Sequence, residues 1–160
     1  MGNGGVCLSS RFLDFVYNNI PEGSTILEFG SGTSTGKLVD RYTVFSIEEN
    51  ESYVGLHHDN YLHAEIVDDW YNKKKVIDFI SDLQYDAIIV DGPAHGLRKG
   101  ILDILEYMNL NVPIFIDDLE RADDRAVFSV LSSIAGDRIT RGEARANISV
   151  HDFIYYGGII

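Results

Sequence analysis

The segment Thr25-Ile26-Leu27-Glu28-Phe29-Gly30-Ser31-Gly32-Thr33-Ser34-Thr35-Gly36 constrains this chain more than any other. An apolar run ends in an acid-bearing pair, and a glycine-rich turn then leads into a predicted helix. Gly30 and Gly32 have access to backbone angles closed to other residues, so the chain can turn sharply there and let a ligand approach closely. A strand, a glycine-rich turn and a helix in that order form a nucleotide-cofactor loop.

The acid before the first glycine discriminates between cofactors. A pyrophosphate at the turn would be repelled by Glu28, whereas an ammonium and a sulfonium would be attracted. The residues therefore favour S-adenosylmethionine (SAM) over NAD. Glu-Phe-Gly-Ser-Gly-Thr-Ser also resembles the first motif of class I SAM-dependent methyltransferases, acid-x-Gly-x-Gly-x-Gly, with Ser34 in place of the third glycine. The resemblance implies cofactor contacts from Glu28, Gly30, Ser31, Gly32 and Ser34.

The remaining pattern is an alternation. A helix is predicted over 9–20, strands over 25–29 and 43–47, a helix near 51–58, and a third strand over 64–67. A helix over 74–83, a strand over 85–90, a helical stretch over 96–108, a strand over 113–116 and a helix over 121–135 follow. The tail, 137–158, reads as an antiparallel hairpin. Alternating strands and helices imply a parallel sheet covered on both faces. The expected fold is α/β, Rossmann-like and doubly wound, with a mostly parallel seven-stranded sheet and a C-terminal antiparallel hairpin. Residues 1–160 are read as one domain without a cap.

The bulk properties narrow the function. A net charge of −12 argues against nucleic-acid partners, because phosphates repel such a surface. No apolar run reaches the roughly 20 residues of a membrane span. The amino terminus lacks the regions of a signal peptide, and the single cysteine, Cys7, excludes an internal disulfide framework. The expected location is cytoplasmic.

Acids close every predicted strand: Glu28, Glu48, Asp68-Asp69, Asp91 and Asp117-Asp118. Ligands of open parallel sheets bind beyond those ends. Glu48, eighteen residues after Gly30, can accept hydrogen bonds from ribose hydroxyls. Glu49 reads as the solvated start of a helix. The family resemblance puts Asp68 or Asp69 at the adenine amino group, with Trp70 or Tyr71 able to stack on the ring. Asp91, Asp117 and Asp118 end adjacent strands; clustered carboxylates need a cation, and an oxygen-only set suits Mg2+ or Mn2+. This trio is similar to that of metal-dependent O-methyltransferases of the catechol and macrolide-sugar types. The segments Thr43–Ser52, Ile89–Pro93 and Ile114–Arg121 also resemble the glucuronoxylan 4-O-methyltransferase family, with Asp117 in place of a histidine.

The loop Asp91-Gly92-Pro93-Ala94-His95-Gly96-Leu97-Arg98-Lys99 lies over the expected methyl-transfer site. His95 suits the role of base because its ordinary pKa lies near neutrality, with Asp91 and Lys99 as other candidates. Arg98 is the candidate clamp for an anionic acceptor. The sequence thus points to a SAM-dependent O-methyltransferase acting on a hydroxyl of a small molecule or saccharide, and with no cap in the chain a homo-oligomer partner is one expected source of the acceptor site. A non-catalytic SAM-binding or assembly module and an NAD-dependent oxidoreductase stay open as alternatives.

Overall fold

Three short runs, apolar at both alternating positions and broken only by Glu28, build the centre of the molecule. In the computed structural model, which describes residues 8–94, 97–117 and 122–135 together with the backbone of 139–140 and 154–156, these runs are β1 (Thr25–Phe29), the strand Ala87–Val90 and the strand Ile114–Ile116. Successive side chains of a strand face opposite ways, so a run apolar at both alternating positions must be covered on both sides. That happens here. Leu27, Phe29, Ile88, Val90, Ile114 and Ile116 face one core, while Ile26, Ala87, Ile89 and Phe115 face another.

In chain order the elements are α1 (Ser10–Asn19), β1, α2 (Thr35–Leu38), β2 (Thr43–Glu48), β3 (Tyr61–His63), β4 (Ile66–Val67), β5 (Trp70–Tyr71), α3 (Lys73–Ile80), β6 (Ala87–Val90), a 3-10 segment (Arg98–Tyr107), β7 (Ile114–Ile116), α4 (Ala122–Ala135), β8 (Ile139–Thr140) and β9 (Ile154–Tyr156). Five strands run parallel in the order β3-β2-β1-β6-β7. β9 pairs antiparallel with β7, and β8 antiparallel with β9. Strands β4 and β5 form a separate antiparallel pair. This is the expected α/β architecture with a parallel sheet at its centre.

One face is closed by α1 and α2. Ser9 caps α1, its side chain accepting the Phe12 N–H, and Phe12, Leu13 and Val16 turn inward. Phe12 and Phe15 both meet Phe115 edge-on, with centroids 6.1 and 6.0 Å away. The other face is closed by α3, the 3-10 segment and α4, through Val76, Ile80, Ile101, Ile104, Val127 and Leu131.

Two predicted elements differ. Residues 51–55 form turns instead of a helix, because Gly55 takes a positive φ of 76° that interrupts helical backbone. The third strand is Tyr61–His63, not 64–67. Residues 66–71 instead fold into the β4–β5 hairpin, whose two turn residues, Asp68 and Asp69, have φ of 51° and 67°. Aspartate tolerates that left-handed region, and a two-residue hairpin turn with both φ positive needs it.

The chain leaves β1 for β2 and β3 on one side and returns through β6 to β7 on the other. The parallel sheet therefore reverses its order between β1 and β6, where a crevice opens in folds of this kind. There Gly30 (φ 87°) packs directly on Gly92, and a Cβ on Gly30 would stand 2.7 Å from the Gly92 Cα. Gly55 shares the left-handed φ but has nothing within 4 Å of a Cβ. Gly55→Ala should therefore cost about 1 kcal/mol, the left-handed penalty alone. Gly30→Ala should cost clearly more, roughly 3 kcal/mol or above, because backbone strain and overpacking add. Urea unfolding midpoints measure both; equal losses would mean the two backbones can separate freely.

Candidate functional site

The crevice holds a cavity of about 210 Å3 lined by Gly30, Ser31, Glu48, Glu49, Asn50, Tyr53, Asp91, Gly92, Ala94 and Arg98. Each wall comes from the end of a parallel strand or the loop after it: β1 gives the glycine turn, β2 gives Glu48–Asn50, and β6 gives Asp91–Ala94.

Glu48 is the central acceptor. Its carboxylate accepts the Ser31 N–H (2.7 Å) and the Asn50 N–H (2.8 Å), which ties the glycine turn to the end of β2. Burial pushes its pKa up to about 7 despite those two donors. Glu49 does not start a solvated helix. It lines the cavity, and its Oε1 accepts the Ala94 N–H (3.1 Å), so it bridges to the loop after β6.

Glu28 has a different setting from the one expected. Its register partner in β2 is Ser46, on the side of the sheet carrying Ile26 and Val44. The carboxylate accepts from Ser46 Oγ (2.6 Å) and from Thr35 Oγ1 (2.9 Å), and it does not line the cavity. Its donors form a directed chain. The Asn60 N–H donates to His58 Nδ1, which leaves the Nε2 proton to bond Ser46 Oγ, whose own proton goes to Glu28. Thr35 Oγ1 also accepts the Gly32 N–H (3.0 Å), so the glycine turn rests on Glu28 through one threonine. Burial nevertheless raises the Glu28 pKa to about 7.

Ser34 also turns away from the cavity. Its Oγ accepts the Leu8 N–H (2.6 Å) and anchors the segment before α1. Trp70 is buried against Phe29, Tyr71 and Gly100, where a Cβ would stand 2.2 Å from its Cγ. It belongs to the core, not to a surface on which a ring could stack. Asp68, Asp69 and Lys99 line a second, open cleft of about 430 Å3 with Lys73, Asp103 and Asp123. The residues expected at the adenine amino group therefore lie in a different depression from Glu48.

The metal expectation meets a guanidinium. Arg98 is 1% exposed. It donates to the Asp91 carbonyl (2.8 Å), to Asp91 Oδ1 (3.1 Å) and to the Asp117 carbonyl (2.7 Å), and its Nε lies 3.7 Å from Asp124 Oδ1. Positive charge is already in place between the ends of β6 and β7, so Asp91 and Asp117 do not fit a divalent ion, and Arg98 is not directed outward as a clamp. Among the described residues no group of three metal-ligating side chains comes together. His95 and Asp118 lie outside the described residues. The sequence reading missed Glu49, Asn50 and Tyr53: strand alternation stops at Glu48 and leaves the direction of the next residues open.

No protein-family model and no curated protein matches the sequence. Solved structures do. An O-methyltransferase from Bacillus cereus, solved with S-adenosylhomocysteine (SAH), superposes with a TM-score of 0.62 at 15% identity, over 94% of this chain and 82% of that one. The C-terminal domain of precorrin-6Y C5,15-methyltransferase from Rhodobacter capsulatus gives 0.57 at 10% identity, over 96% and 93%. A TehB-like SAM-dependent methyltransferase from Corynebacterium glutamicum gives 0.54 at 14% identity, over 92% and 85%. The chain has the Rossmann-like fold of SAM-dependent methyltransferases. No helix among the described residues is long and apolar enough to cross a membrane.

Two predictions follow from these charges. Glu28 and Glu48 bind protons more tightly folded than unfolded, so the stability these two contribute is full below about pH 4.5 and is lost as pH rises through about 7. Glu28→Gln should remove one of the two contributions, flattening the decline between pH 5 and 8 by up to about 3 kcal/mol in chemical unfolding. An unchanged slope would mean that Glu28 is ionised throughout. Millimolar Mg2+ should leave the thermal midpoint where EDTA leaves it, since binding to the folded state alone would raise it; a rise of several degrees would show a cation site.

Proposed function

We propose that the chain is a SAM-dependent methyltransferase. The observation that carries the reading is the cavity at the reversal between β1 and β6, with Glu48 in its wall, on a fold shared with such enzymes. The lining chemistry fits SAM: carboxylates for ribose hydroxyls and an ammonium, two glycine backbones that admit close approach, and, among the described residues, a basic side chain, Arg98, that is already engaged by Asp91 and the Asp117 carbonyl. When bound, SAM supplies a methyl group activated by its sulfonium and leaves as SAH.

In this reading Glu48 holds the ribose, exchanging the Asn50 and Ser31 N–H groups for hydroxyl donors. Gly30 and Ser31 face the methionine portion. Arg98 keeps Asp91 fixed at the end of β6, so the floor of the site is set before any acceptor arrives. The enzyme's contribution is proximity and orientation of the acceptor oxygen. We take the acceptor to be a hydroxyl-bearing small molecule or saccharide, with His95, on the loop after β6, as the base that receives its proton.

Calorimetric titration tests the cofactor assignment. SAM and SAH should both bind, and Glu48→Ala should weaken SAH by about 1–3 kcal/mol, the loss expected for hydrogen bonds to a charged group. Heat with NADH and none with SAM would overturn the assignment.

A further inference from the structure

The Tyr71 hydroxyl is a buried polar group beside the cavity that the proposed function leaves unused. Tyr71 is fully buried, its ring wedged against Phe29 and Trp70 at centroid distances of 6.3 and 5.2 Å. Its hydroxyl has no hydrogen-bond partner among the described residues. A buried unmade hydrogen bond is costly, and an apolar ring would fill the same space without the cost.

The position of the oxygen is informative. It lies directly behind Gly92, where a Cβ would stand 2.5 Å from it. Gly92 lines the cavity, so a single backbone unit without a side chain separates this oxygen from the cavity. Four charged groups act on the hydroxyl: Glu49 most strongly, then Glu48, Arg98 and Asp91. All four line the cavity. Burial first, and the three carboxylates after it, keep the phenol neutral, with its pKa well above the ordinary tyrosine value.

Among the described residues, the loop that covers the oxygen is tied across the cavity by the Ala94 N–H to Glu49 bond. The cavity, at about 210 Å3, falls short of the roughly 300 Å3 from which small-molecule sites usually start. A SAM-sized ligand therefore extends beyond this volume, through the open side of the crevice or by displacing a wall. Moving the Gly92–Ala94 wall breaks the Ala94–Glu49 bond and shifts Gly92 off Gly30, and that movement uncovers Tyr71.

We propose that the Tyr71 hydroxyl is a cofactor contact, uncovered when Gly92–Ala94 releases from Glu49, and that its oxygen accepts a hydrogen bond from the α-ammonium of SAM or SAH. The three carboxylates against one guanidinium favour a cationic donor at this point. The phenolic proton then turns to Glu49, freed from Ala94. The proposal rests on the methyltransferase reading.

Tyr71→Phe removes only the oxygen. Calorimetry with SAH on the intact chain should show affinity lowered roughly tenfold or more, as for a hydrogen bond to a charged group. The thermal midpoint of the ligand-free variant should equal or exceed that of the parent, since nothing is paired to the hydroxyl before binding. SAH affinity within twofold of the parent would overturn the proposal, as would a lower midpoint without ligand, which would give the hydroxyl a structural partner. No SAH binding by the parent chain would overturn the methyltransferase reading itself, and this contact with it.

Discussion

Two backbones in direct contact govern this structure. At the reversal of the sheet, Gly30 at the end of β1 and Gly92 after β6 approach until neither can carry a Cβ. Every wall of the cavity is referred to that contact. The glycine turn leaves β1 at an angle fixed by the positive φ of Gly30, and its Ser31 N–H is thereby delivered to Glu48. The loop after β6 sets out from Gly92 and reaches Glu49 through Ala94. Spreading the two strands would separate the acid that receives the turn from the loop that covers it.

Charge is managed around that contact in two separate ways. On the cavity side, Arg98 gathers the ends of β6 and β7 and approaches Asp124 of α4, so one buried guanidinium serves three elements. Removing one partner from such a buried cluster is far costlier than never having had it, because uncompensated charge is left behind. On the opposite side of β1, Glu28 collects hydroxyl donors, with no cationic partner among the described residues. Its raised pKa is the consequence of burial that neutral donors only partly offset.

Much of this was legible in the sequence, and the unread parts share a cause. The runs Thr25–Phe29 and Ala87–Val90 declare buried strands because they are apolar on both parities, and Glu48 is readable as a strand-end acid. Direction is harder. Whether Glu28 faces the cofactor loop or the opposite core depends on which side α2 packs, and its partner Ser46 is eighteen residues away. Asp68-Asp69 follows an apolar pair just as a strand-end acid would, yet the same two residues make a tight hairpin turn. Arg98 after a glycine-containing loop suggests an exposed cation; only the convergence of Asp91, Asp117 and Asp124, brought together by the fold, turns it inward.

The contacts of α1 bear on the order in which the molecule can be completed. Phe12 and Phe15 close their core against Phe115, a residue added a hundred positions later. The packing of α1 on Ile26, Leu38 and Val44 can form early, but the two rings it sets against Phe115 are completed only once β7 has been made. Contacts this distant along the chain slow the closing step, since the intervening loop must be ordered before the rings can meet. Until β7 exists, the Phe12 and Phe15 rings of α1 lack the Phe115 edge contact that closes this core.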